Sequence, residues 1–151
     1  MRRREFITLL GGGAVAWPLA ASAQQREKVR RIGVLMNTAA DDPEGQARMA
    51  AFLQGLEPLG WSVGRNAQID LRWGADDVDR ERKYAQELVA LAPDILLASG
   101  TGSVTALQHV TRTLPIVFAT VTDPVGAGIV DSLSRPGGNA TGFMLYEIGR
   151  P

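Results

Sequence analysis

The sequence predicts a doubly wound α/β domain: a parallel five-stranded sheet, strand order 2-1-3-4-5, with helices on both faces. Three observations predict it. Five short apolar runs recur along the chain. Stretches between them carry helical spacing with start and stop residues at their ends. Several of the runs finish in glycines and small polar residues. Right-handed crossovers then distribute the helices over both faces, and the strand order itself is taken by analogy with other sheets of this class.

The elements follow in order. "RIGVLM" is a continuous apolar run, as expected of a strand buried on both faces. Asp42-Pro43-Glu44 opens a helix, with an aspartate cap and proline at the first helical position. Met49, Leu53, Leu56 and Leu59 give its apolar face, and Gly60 ends it. "AQIDLRW" alternates Ile69, Leu71 and Trp73 as strand two. Asp76, Asp77 and Asp79 precede a second helix carrying Tyr84, Leu88 and Leu91, which Pro93 stops. "DILLAS" is strand three, "SVTALQHVTR" helix three and "LPIVFAT" strand four. "VGAGIVDSLS" reads as a short, glycine-loosened fourth helix and "NATGFMLY" as strand five.

Composition narrows the function classes. A chain of 151 residues, 45% hydrophobic, suffices for one domain with a real core. Zero formal net charge and no basic stripe give no electrostatic reason to expect nucleic acid. The absence of cysteine removes disulfides and thiolate metal sites, and one histidine, His109, makes a histidine-rich metal site improbable. His109 lies mid-helix with no evident partner and reads as a surface or packing residue.

The amino terminus reads as an address. Arg2, Arg3 and Arg4 are followed by a moderately apolar stretch, Phe6 to Ala21, and by Ala21-Ser22-Ala23, a small-x-small cleavage pattern. Arg3-Arg4-Glu5-Phe6-Ile7 fits the twin-arginine export signal, and an ordinary secretory signal is the other reading. The apolar part is interrupted by Gly11 to Gly13 and Pro18 and falls short of a bilayer span. Residues 1–23 are thus expected to be an export signal, 24–29 a linker, 30–145 the folded lobe and 146–151 a truncated hinge or tail. Losing three arginines and one glutamate would leave the exported chain, placed in the periplasm, with a net charge of about −2.

In an open α/β sheet, ligands bind beyond the carboxyl ends of the strands. "SGTGS", Ser99 to Ser103, joins strand three to helix three there. Free amides at a helix start favour an anionic group by about 0.3–2 kcal/mol. Equally, Thr101 or Ser103 could simply cap the helix. Strand four ends in Thr120, Thr122 and Asp123, and strand one in Asn37 and Thr38, so three strand ends place small polar groups on one rim. Asp76, Asp77 and Asp79 read as capping and solvated residues rather than a cation site, and Trp73 as packed against a helix.

Taken together, "RRREFITLLGG", "WPLAASAQQ", "RRIGVLMN" and "ASGTGSVTALQHVTRTLPIVFATVTDPVGAGIVDSLSRPGGNATGF" resemble the extracytoplasmic solute-binding components of ABC transporters. The likeness is to the type I group with tryptophan- and tyrosine-binding members. The resemblance implies two lobes joined by a hinge, a small solute such as an amino acid or small anion held between them, and a membrane permease as partner. It implies no chemistry and no cofactor. It places ligand contacts on Asn37 and Thr38, on Ser99, Gly100 and Thr101, and on Thr122 and Asp123, with Asp123 offered to a ligand's amine. Such proteins are roughly twice as long, so the resemblance makes this chain the first lobe alone, from a truncated or partial form. A lone lobe would keep the polar rim, lose most affinity, and expose apolar area that later elements cover.

Two other classes remain on the same fold. A dinucleotide-dependent oxidoreductase would want G-x-G-x-x-G after strand one, where "NTAADDPEGQ" stands, and a small exported hydrolase would want a nucleophile elbow or paired rim carboxylates. A phosphoacceptor receiver domain would want aspartate where Ser99 ends strand three.

Overall fold

The computed structural model describes residues 28–145. The export-signal reading of residues 1–23 and the tail at 146–151 lie outside them. The order of elements is β1 (Arg30–Met36), α1 (Pro43–Leu56), a 3-10 turn (Glu57–Leu59), β2 (Ala67–Trp73), α2 (Val78–Ala90), β3 (Ile95–Ser99), α3 (Thr101–Val110), β4 (Ile116–Val121) and β5 (Ala140–Met144). All five strands are parallel and lie in the order β2-β1-β3-β4-β5, as expected.

β1 sits inside the sheet, between β2 and β3, because its apolar run can be buried twice over. Leu35 faces one side, in a cluster with Leu88 of α2, Val104 and Leu107 of α3, and Phe118 of β4. Val34 and Met36 face the other, with Met49 and Phe52 of α1. β2, at one edge, alternates because only one of its faces is apolar. Ile69, Leu71 and Trp73 pack beside α1. On the opposite side Asp70 accepts from Arg31 Nε at 2.6 Å, and Arg72 Nε donates to Glu87 of α2 at 3.0 Å. At the amino end of the sheet, the Arg31 amide holds Asp94 at 2.8 Å and lowers its pKa, with Arg30 and Lys28 adding to the effect.

The helix starts follow their caps. Asp42 accepts from the Gly45 amide and Asp77 from the Arg80 amide, both at 2.9 Å, in the manner of aspartate caps. α1 differs in one detail from its expected face. Phe52, not Leu53, packs beside Met49, and Leu59 lies in the 3-10 turn with 73% exposure. Gly60 closes that turn as expected.

The fourth helix does not form. Residues 122–139 cross from β4 to β5 as turns. One helical bond starts it, from the Ala127 amide to Asp123, but the ladder then shifts to Gly128 onto Val125 and to Ile129 onto Pro124. Gly128 takes φ +70°, open to glycine and costly elsewhere, and that ends any helix. The segment is anchored by packing instead: Ile129 and Val130 are buried beside α3, and Gln108 Nε2 donates to the Ile129 carbonyl at 2.9 Å. Four predicted crossover helices are therefore three.

Among the described residues, α2 and α3 lie on one face of the sheet and α1 alone lies on the other, beside β1 and β2. The α1 side of β3 and β4 is apolar and open. A groove of about 410 Å³ runs there between Phe52, Leu56 and Trp61 on one side and Ile95, Leu97 and Val117 on the other. Phe143 of β5 is 75% exposed.

Candidate functional site

β1, β3 and β4 end together at one rim, and its backbone is unusually strained. Ala75, Asp76 and Thr120 have positive φ, and Gly100 sits at φ +87°, ψ 156°. A threonine at φ +57° is an outlier for a β-branched residue. Such strain gathers where a loop must hold a set shape. Here it lies within the irregular pairing of β4 with β5, between Phe118 and Val121.

The α3 start does not follow the capping reading of "SGTGS". Gly100 is the N-cap residue and no side chain caps the helix, so Thr101 and Ser103 do not act as caps. Thr101 is exposed. Ser103 is fully buried and donates its hydroxyl to Glu81 Oε1 at 3.1 Å. The first turn of α3 therefore begins at the end of β3 without a side-chain cap.

Asn37 lies directly against this turn: a Cβ on Gly100 would come within 2.7 Å of Asn37 Cγ. Asn37 Nδ2 donates to Asp76 at 3.2 Å, while Asn37 Oδ1 is buried without a hydrogen-bond partner. Thr38 Oγ1 is likewise buried and unpartnered, pressed onto Gly45 in the first turn of α1. Leaving such an atom unsatisfied costs about 1–3 kcal/mol. Trp73 touches the same glycine, so it packs on α1 as expected.

Ser99 is 4% exposed and shares a hydrogen bond of 2.9 Å with Thr120 Oγ1. That bond ties β3 to the strained turn of β4. Ser99 also borders a smaller groove of about 280 Å³ that continues beneath the rim with Met36, Met49 and Phe52. Thr122 and Asp123 are exposed just after β4. Asp123 accepts from the Gly126 amide at 2.8 Å, which folds the turn that replaces the fourth helix. The structure thus brings Asn37 against Gly100 and links Ser99 to Thr120, while the recorded partner of Asp123 is local.

The larger groove offers a poorer site for a polar solute. Its charged residues, Arg30 and Asp94, are already paired at 3.1 Å, and the rest of its lining is apolar. Asp77 caps α2, Asp79 pairs with Arg82 and Asp76 holds Asn37. No group of acidic or histidine side chains among the described residues is arranged to hold a metal ion.

One buried residue escaped the sequence reading. Glu81 of α2 is 3% exposed beneath α3. Burial raises its pKa above the ordinary 4.5; the Ser103 hydrogen bond works against that rise, and the charges of Asp76 and Asp77 add to it.

The parallel 2-1-3-4-5 sheet matches one lobe of the periplasmic-binding-protein fold. The chain belongs to the ABC transporter substrate-binding protein family, whose model matches residues 31–146. A tyrosine-binding protein from Clostridioides difficile (strain R20291) is 33% identical over 120 residues, 80% of this chain and 34% of its own length. The ligand-free, open structure of a substrate-binding protein with adhesive properties from Clostridium difficile aligns with a TM-score of 0.71 at 30% identity, over 77% of this chain and 39% of that one. An ABC domain in complex with L-Trp from Streptococcus pneumonia aligns with a TM-score of 0.72 at 29% identity, over 78% and 39%. The chain therefore spans between a third and two fifths of the length of these relatives.

Proposed function

We propose that this chain supplies one wall of a solute-binding cleft in an ABC-type importer and takes an amino acid or similar small anion. The observation that carries the reading is the uncapped start of α3 beside the unpartnered oxygen of Asn37. A ligand carboxylate is matched by the first-turn amides of α3, with the Thr101 hydroxyl beside them. Donors on the same ligand would satisfy Asn37 Oδ1 and Thr38 Oγ1. Thr122 and Asp123 extend the rim, and Asp123 keeps acceptor capacity for an amine after its bond to Gly126. Ser99 acts from below, through Thr120.

The tyrosine-binding relative and the L-Trp complex support an amino acid as the solute. Binding, rather than catalysis, is the role that fits a family of substrate-binding proteins. The proposal extends to a membrane permease as the partner and to export through residues 1–23 into the periplasm.

One wall buries only part of a ligand, and most affinity comes from enclosing it. Isothermal calorimetry of the 151-residue chain with L-tryptophan and L-tyrosine is expected to give dissociation constants of about millimolar, a binding free energy near −4 kcal/mol. Micromolar binding would contradict the one-wall reading. No saturable binding by a folded chain would remove the solute site.

A further inference from the structure

Glu81 places a carboxylate on the buried face of α2, where it accepts from the Ser103 hydroxyl. It lies on the buried side of α2, one turn before Tyr84 and Ala85 and two before Leu88, all of which belong to the core or pack against it. An apolar residue there would avoid the cost of burying a carboxylate but would take this acceptor from the buried Ser103 hydroxyl. Instead its carboxylate reaches the first turn of α3. A Cβ on Gly102 would lie 2.5 Å from Glu81 Oε2, and Ser103 Oγ donates to Oε1. The charges that act on Glu81 among the described residues are Asp76 and Asp77, both on the loop before α2. The first turn of α3 contains no acidic residue, and Asn37 of the β1 end is neutral.

We infer that Glu81 is a positioning residue that couples anion binding at the start of α3 to uptake of a proton. This deepens the proposed solute site and rests on it. When the rim is empty, an ionised Glu81 draws on the positive end of the α3 dipole and accepts from Ser103. An anion arriving at the amides of Thr101 to Ser103 places a second negative charge beside it, and the buried carboxylate answers by taking a proton at Oε2. The proton comes from solvent, and the pair Glu81–anion then carries one negative charge instead of two. The sign follows: anion affinity rises as pH falls through the Glu81 titration, which already lies above the usual carboxylate range.

The test uses the 151-residue chain and formate, a small carboxylate that stays ionised in the range used. Amide shifts of Thr101 to Ser103 report occupancy by NMR, and the Glu81 side-chain carbon reports its protonation. As pH falls through the Glu81 midpoint read from that carbon, the formate affinity is expected to rise, approaching about tenfold for one unit of pKa coupling. In Glu81→Gln, which keeps an acceptor for Ser103, the affinity should change less than about twofold over the same fall in pH. In the unaltered chain, saturating formate should raise the Glu81 midpoint, a reading that needs no variant. A Glu81 midpoint indifferent to formate overturns the coupling, as does an equal pH slope in Glu81→Gln. If the amides of Thr101 to Ser103 shift at no pH in either protein, the solute site itself fails and the coupling falls with it.

Discussion

Replacing Phe118 with alanine is expected to lower the unfolding free energy by about 3–5 kcal/mol. Phe118 is 2% exposed at the centre of β4 and belongs to the larger core cluster with Leu35, Leu96 and Leu107. β5 approaches it so closely that a Cβ on Gly142 would come within 2.7 Å of the Phe118 ring and backbone nitrogen. Removing the ring therefore leaves a void walled by strands that cannot collapse far. A loss of this size is a large share of the ~5–15 kcal/mol that holds a typical domain together. Urea unfolding followed by tryptophan fluorescence reads it. Phe143→Ala provides the contrast, because Phe143 is 75% exposed and its loss should stay within about 0.5 kcal/mol. Equal effects at the two positions would contradict the assigned core.

Gly100→Ala is the second large effect, and it falls on the rim. The backbone there, φ +87° and ψ 156°, belongs to a region that only glycine occupies freely, so a side chain costs about 1–3 kcal/mol. The added methyl also meets Asn37 Cγ at 2.7 Å, so either Asn37 or the start of α3 must move. Stability and solute binding should fall together. Thr101→Ala separates the two: its side chain is exposed, so stability should hold within about 0.5 kcal/mol while binding weakens. Thermal unfolding and amino-acid titration of both variants check this. A Gly100→Ala chain that melts and binds like the parent would contradict the rim geometry.

Much of this fold was legible because its strands are continuous apolar runs or, in β2, a clean alternation, and its first two helices carry their caps in the sequence. Asp42, Asp77, Gly60 and Pro93 each mark a boundary by local chemistry. The β4–β5 crossover was not legible in the same way. "VGAGIVDSLS" read as a short helix, but the burial of Ile129 and Val130 comes from packing beside α3 across a turn opened by Gly128. Helix α1 showed a related ambiguity. Leu53 and Phe52 are both apolar, and the fold packs Phe52 beside Met49 and along the groove while leaving Leu53 36% exposed.

The rim was legible as composition and not as geometry. Hydroxyls and glycines at three strand ends announced a polar edge, but nothing in the sequence showed that Ser99 would be buried against Thr120. Nor could it show Thr120 in a left-handed conformation, at the point where the pairing of β4 with β5 becomes irregular. Glu81 was missed despite a usable signal. It falls three, four and seven residues before Tyr84, Ala85 and Leu88, on the stripe where α2 should be apolar. A charge on that stripe marks either a mistaken face or a buried carboxylate with work to do.

The central claim is that a small solute meets this lobe at the rim, not in the apolar groove beside α1. Amide NMR of the chain during titration with L-tryptophan tests it directly, because the ligand's ring suits the groove and its carboxylate suits the rim. The account predicts the largest shifts at Asn37, Thr38, Gly100 to Ser103, Thr122 and Asp123. Shifts confined to Phe52, Leu56, Trp61 and Val117, with those residues silent, would contradict it.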